Sequence, residues 1–248
     1  MQECDRKPAL RTGVRVCPAC TNETRCRQAE QGLHRRFFPV LHWVPKGQVM
    51  HIDYTINTVS SEEDLARIID FAQSVLGSES PHHHYDFWLP HYQAAPDLLI
   101  YAVNNDHLFG CVLGRIEGES MTVGMLAVSP DHQRCGIGTV LMREIEERAQ
   151  HRHITTLALA AREEAEPFYL NCGYTPFLFI QSNRTPLAQL QALNHTYPEV
   201  SASDHEADGW SSLMLATPTI DRALEQQYNL RFPECSSQTV FIKHLVGE

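Results

Sequence analysis

The chain has 248 residues, 43% of them hydrophobic, with 20 Lys and Arg against 30 Asp and Glu and a formal net charge of −10. That is enough apolar material for a real core, and the acidic balance suits a cationic substrate while arguing against nucleic acid or an anionic membrane as main partner. No apolar run approaches the ~18 residues of a spanning helix and no apolar leader is present, so the eight scattered cysteines read as reduced thiols of a cytoplasmic protein.

Residues 1–49 differ from the rest, with a net charge of +5 against −15 for the remainder. They show no sustained helical or strand period. Cys17-Pro18-Ala19-Cys20 has the spacing of a zinc knuckle, with Cys4, Cys26, His34 and His42 nearby. The second pair, Cys26 with His34, lacks a standard spacing, and no metal site is assigned. The segment is read as a basic extension, disordered or non-native, and the domain is expected to begin at or near Met50.

From there the chain alternates elements. Asp53 to Thr58 reads as a strand. Ser60 or Ser61 caps a helix whose stripe is Leu65, Ile68, Ile69, Ala72, Val75 and Leu76, and Gly77 stops it. Residues 78–97 are irregular and gather His82, His83, His84 and His91 among Tyr85, Phe87, Trp88 and Tyr92. Three readings stay open for them: a surface loop with its aromatics under the sheet, a substrate-facing segment, or a metal site. Leu98 to Asn104, Phe109 to Ile116 and Met121 to Val128 are three strands joined by short turns, an antiparallel meander. Ser129-Pro130-Asp131 ends the third. An amphipathic helix over 136–150, a strand over Ile154 to Ala160, a short helix near 164–172 and a strand from Thr175 to Ser182 follow. Strand–helix–strand order implies a crossover with local parallel pairing.

The loop between the third strand and the long helix carries the chemistry. Gln133-Arg134-Cys135-Gly136-Ile137-Gly138 stands at a helix start, where free N–H groups and the positive end of the helix dipole favour phosphate. Val128-Ser129-Pro130 followed by Gln133-x-x-Gly136-x-Gly138, and then Ala165, Phe168-Tyr169 and Gly173-Tyr174, resemble the two motifs of the GCN5-related N-acetyltransferase (GNAT) superfamily. The resemblance covers roughly residues 50–182. It implies an α/β (α+β) fold with a mixed, mostly antiparallel central sheet flanked by helices. It also implies acetyl-CoA as cosubstrate, its pyrophosphate on the N–H groups of Arg134, Cys135, Gly136, Ile137, Gly138 and Thr139, with Gln133 in the same motif. The pantetheine arm is implied to run along Leu126, Ala127 and Val128, entering where that strand splays from the next. Tyr169 matches the family's general acid, which protonates the departing thiolate. Arg162 stands where many members have Asn and is a further coenzyme-contact candidate. No motif fixes the general base, and Glu117, Glu119, His84 and His91 are the candidates.

Residues 183–248 are read as an extension that completes or flanks the sheet. Pro186 to Leu193 is a short helix, 194–209 a loop, and Trp210 to Ala216 a strand. Asp221 to Leu230 is a helix capped by Thr219, and Gln238 to Leu245 a strand. Either 211–216 or 239–245 supplies the fold's final strand, and the remainder completes an acceptor pocket or forms a homodimer contact. The expected activity is transfer of acetyl from acetyl-CoA to a primary amine, on a small molecule or a protein, by direct attack in a ternary complex. The rivals are a non-catalytic acyl-CoA-binding module of the same fold and a zinc-dependent nucleic-acid module in residues 1–49. A dinucleotide fold is disfavoured, because the glycines follow a meander rather than open a βαβ unit.

Overall fold

The computed structural model describes residues 36–37, 40–43, 49–205 and 209–245, with side chains described over 53–204 and 209–245. Cys4, Cys17, Cys20, Cys26 and His34 lie outside the described residues. The described residues all fall within one compact unit. Strand β1 (Arg36–Phe37) pairs with β4 (Thr55–Thr58), and β2 (Val40–Trp43) forms a separate two-stranded ribbon with β3 (Val49–Ile52). The single strand expected over 53–58 therefore starts later, at Thr55.

Helix α1 (Glu62–Leu76) begins where the sequence places it. The Ser61 hydroxyl accepts from the Asp64 N–H at 3.0 Å, and the Asp64 carboxylate reaches back to the Ser60 N–H at 3.2 Å. Leu65, Ile68, Ile69 and Ala72 are its buried stripe. Gly77 ends it at φ +85°, a conformation only glycine adopts without strain. The histidine-rich stretch is helical, not a loop: a 3-10 turn, Pro81–His83, leads into α2 (Tyr85–Ala94), which holds Pro90 inside it. Trp88 is fully buried, and its indole N–H donates to the His82 carbonyl at 2.7 Å.

Strands β5 (Leu99–Asn104), β6 (His107–Glu117) and β7 (Ser120–Val128) form the expected meander. Asn105 and Asp106, at φ 45° and 67°, make the two-residue turn that matches strand twist. Helix α3 (Ile137–His151) crosses to β8 (Thr156–Ala160), parallel to β7, and α4 (Glu166–Asn171) leads to β9 (Thr175–Ser182).

Beyond β9 come α5 (Leu187–Leu193), β10 (Glu199–His205), β11 (Trp210–Ala216), α6 (Arg222–Arg231) and β12 (Ser236–His244). Two expectations change here. Residues 199–205 are a strand inside the predicted loop, and the cap of α6 is Asp221, whose carboxylate accepts from the Leu224 N–H at 2.9 Å, not Thr219. Among the described residues ten strands make one sheet in the order β1-β4-β5-β6-β7-β8-β12-β9-β11-β10, antiparallel except at β7–β8. The strand that completes the sheet is β12, slotted between β8 and β9, while β11 pairs with the far side of β9. One hydrophobic cluster lies around β4 to β8 and α1 to α3. A second joins Leu178 and Ile180 to Leu190, Leu213, Leu224 and Tyr228.

Candidate active site

Among the described residues the β7–β8 pairing is the only parallel one in the sheet, and it is short. The register runs Ser120↔Thr156, Met121↔Leu157 and Thr122↔Ala158, then stops, although β7 continues to Val128 and β8 to Ala160. At the far end of β7 the Ser129 N–H donates to the Phe109 carbonyl at 2.9 Å. Antiparallel pairing alternates, so the backbone groups of Ala127 and Met125 also turn toward β6. Those of Leu126 and Val128 turn toward the gap that opens beside β8, where the Gln133 side chain donates to the Val128 carbonyl at 3.3 Å.

A cavity of ≈ 720 Å³ fills this gap. Its floor includes Gly124, Leu126 and Val128 of β7. Gly124 leaves room for Trp88, which an added Cβ would meet at 2.8 Å. One end of the cavity is the loop from His132 to Gly136 with the first turn of α3. Arg134 holds φ 61° and Gly136 φ 83°. The two left-handed residues turn the chain sharply into α3, whose N-cap has no side-chain hydrogen bond. The Val140 N–H is the first to bond back to the cap carbonyl, at 3.0 Å, so the first-turn N–H groups ahead of it have no intrahelical acceptor. Gly138 lies against Phe168, whose Cζ would be 3.3 Å from an added Cβ. A bulkier residue would close the cradle at that point, so the donor set and the space both fit a phosphate group.

The expected coenzyme residues divide. Leu126, Val128, Gln133, Arg134, Gly136, Gly138, Thr139 and Arg162 line the cavity. The side chains of Ala127, Cys135 and Ile137 are buried in the core instead, because each alternates to the face that covers α3 or closes the turn. Arg162 does not hang free: its guanidinium donates to the Leu76 carbonyl at the end of α1. Val75 and Leu76, read from sequence as core stripe, are cavity wall.

Tyr169 enters from α4, buried to 7% exposure, with its ring against Phe168, Tyr174 and Phe241. Burial, and then the neighbouring Cys172, push its phenol well above the ordinary value, so it stays protonated. No described group accepts from its hydroxyl, and the ring lines the cavity.

None of the four base candidates lines the cavity. Glu117 is paired with Arg115 and accepts from the Thr122 hydroxyl at 3.1 Å. Glu119 sits in the β6–β7 turn, and exposed His84 caps α2 without a side-chain bond. His91 lies on Phe87 and Trp88, its pKa lowered by burial and by Arg115. Of the histidines at 82–84 and 91, the one that reaches the cavity is His83, and His132 of the loop before α3 lines it too. Nothing in the sequence distinguishes His83 within a run of three adjacent histidines. Among the described residues no three His, Cys, Asp or Glu side chains converge on a metal position, and no helix is long and apolar enough to cross a membrane.

Residues 64–174 match the acetyltransferase (GNAT) family. The ribosomal-protein-S18-alanine N-acetyltransferase from Escherichia coli is similar in structure at 18% identity and a TM-score of 0.43, over 68% of this chain and 97% of that one. PaiA N-acetyltransferase from Thermoplasma acidophilum, in complex with coenzyme A, is similar at 16% identity and 0.43, over 67% and 99%. An acetyltransferase of the GNAT family from Staphylococcus aureus is similar at 12% identity and 0.45, over 78% and 99%. No curated protein matches the sequence.

Proposed function

We propose that the chain, whose residues 64–174 match the acetyltransferase (GNAT) family, transfers an acetyl group from acetyl-CoA to a primary amine by direct attack in a ternary complex. One observation carries the reading: a helix-start cradle, a splayed strand pair and a buried phenol open on the same cavity. Arg134, Gly136, Gly138 and Thr139 hold the pyrophosphate, with N–H groups of the first turn of α3 as donors. The gap-facing backbone of Leu126 and Val128 supports the pantetheine arm. Tyr169 gives its proton to the sulfur as the carbon–sulfur bond breaks, and Phe168 and the walls of the gap keep water from the thioester. Holding both reactants in one cavity supplies much of the rate. The net charge of −10 favours a cationic acceptor.

The experiment is equilibrium binding of acetyl-CoA together with CoA release over a panel of amines. Wild-type protein is expected to bind and turn over. Gly136→Glu, which puts bulk and negative charge into the phosphate cradle, is expected to weaken binding by at least tenfold, about 1.4 kcal/mol or more. Unchanged affinity in that variant rejects the cradle. Binding without turnover on the whole panel favours a non-catalytic acyl-CoA-binding module.

A further inference from the structure

We propose that His83 is the general base that deprotonates the acceptor amine, an assignment that rests on the acetyltransferase reading above. The attacking nitrogen of a primary amine is protonated at neutral pH and must lose a proton before it can attack. Of the side chains lining the cavity, His83, His132 and Glu164 have an atom able to take it. His132 belongs to the phosphate-loop end, with its ring against Phe109 at 4.6 Å and Nδ1 3.4 Å from the Ser129 hydroxyl. Glu164 is exposed, in the 3-10 turn ahead of α4.

His83 comes from the connection between α1 and α2, a different wall from the one that carries Tyr169. Its Nδ1 is 2.7 Å from the Gly77 carbonyl. A carbonyl can only accept, so Nδ1 carries the hydrogen, and in the neutral ring the lone pair is on Nε2. The bond survives protonation, because Nδ1 keeps its hydrogen in both charge states. The backbone is pinned as well: the Gln73 side chain donates to the His83 carbonyl at 2.6 Å. Gly77 is available for this because it ends α1, where carbonyls lose their helical partners. An imidazole with one nitrogen fixed to an orienting acceptor and the other basic is the arrangement a general base needs.

The protons balance. Nε2 takes one from the ammonium and passes it to solvent. The neutral amine attacks the acetyl carbon, the new carbon–nitrogen bond forms, and the carbon–sulfur electron pair leaves on sulfur, which takes the Tyr169 proton. The adduct nitrogen then loses a second proton, which returns to the Tyr169 oxygen, and one remains on the amide.

The test compares acceptors that need a base with one that does not. n-Butylamine, spermidine and a tetrapeptide with a free amino terminus are charged at neutral pH; hydroxylamine is not. His83→Gln keeps an N–H for Gly77 but has no basic nitrogen. It is expected to lower kcat/KM for the charged amine used best by on the order of 10²-fold, while hydroxylamine turnover and acetyl-CoA affinity by calorimetry change little. Added imidazole is expected to restore part of the activity of His83→Ala. An equal loss with hydroxylamine, or no loss with any amine, overturns the assignment and leaves the acetyltransferase reading standing. Wild-type protein that releases CoA with no acceptor overturns both.

Discussion

One oxygen separates the proposed catalytic role of Tyr169 from packing. Tyr169→Phe keeps the ring contacts with Phe168, Tyr174 and Phe241 and removes only the proton donor. It is expected to lower kcat by on the order of 10²-fold with acetyl-CoA affinity unchanged, measured as CoA release beside equilibrium binding; a kcat equal to wild type returns the residue to a packing role. Gly124 makes a stability prediction at the same scale. Its added Cβ would sit 2.8 Å from Trp88, a fully buried ring that cannot retreat to solvent. Gly124→Ala is expected to cost about 1–3 kcal/mol by overpacking, read in urea unfolding, and Trp88→Phe in the same chain to recover part of it. Residues that act through their own chain neighbours were legible in the sequence: Gly136 and Gly138 open a helix, and Phe168-Tyr169 stands at a fixed distance from Gly173. His83 was not, because only tertiary placement decides which of three adjacent histidines turns to the cavity.

Elements were legible in proportion to how far their own pattern decides them. Helix α1 has a cap, a stripe and a glycine stop, and was read nearly whole. Helix α2 was missed because Pro90 and the histidines read as irregular, while a single fully buried residue, Trp88, anchors it. Strand β10 was missed because an edge strand of sequence EVSASDH has no apolar face to betray it. Helix α6 shows what a cap contributes. Backbone donation from Leu224 and then the Tyr197 hydroxyl at 2.8 Å hold the Asp221 carboxyl below its usual pKa. A depressed carboxylate stabilises the fold above its unfolded pKa, and that contribution is lost as pH falls through the folded value. Asp221→Ala is expected to cost about 1 kcal/mol at neutral pH, and the gap to wild type to narrow on acidification, as thermal unfolding across pH would show. Helix α4, which carries Tyr169, is held at both ends. Arg222 of α6 bonds Glu166 at its start, and Lys243 of β12 donates to the Cys172 carbonyl at 2.9 Å and to Glu146 at 2.7 Å. Lys243→Met leaves the Glu146 carboxylate, 13% exposed, without its cation. The expected cost is about 3 kcal/mol, seen in denaturant titration; a loss within experimental error means the pair contributes nothing net.

At the scale of the whole molecule, the fold class followed from the meander and the crossover, but the strand order did not. Pairing between residues far apart in sequence leaves no local trace, and residues 211–216 and 239–245 were equal candidates for the completing strand. The second was right. Through β12, Val240 to His244 pair with β8 and Ser236 to Ile242 with β9, joining the half of the sheet that holds the cavity to the half that holds the second hydrophobic cluster. A chain stopped after Cys235 is expected to show no cooperative unfolding transition by circular dichroism; a sharp transition would mean that the halves fold independently. The position of β12 also has a kinetic consequence. It follows every other strand in chain order, so on a ribosome β8 and β9 are made first and stand as two open edges, one strand's width apart at ~10 Å. They cannot close on each other without shifting the register of everything attached to them. The growing chain therefore carries the proposed phosphate cradle and Tyr169 before anything locks them together, and any pause before residue 236 exposes an edge that a second nascent chain can fill.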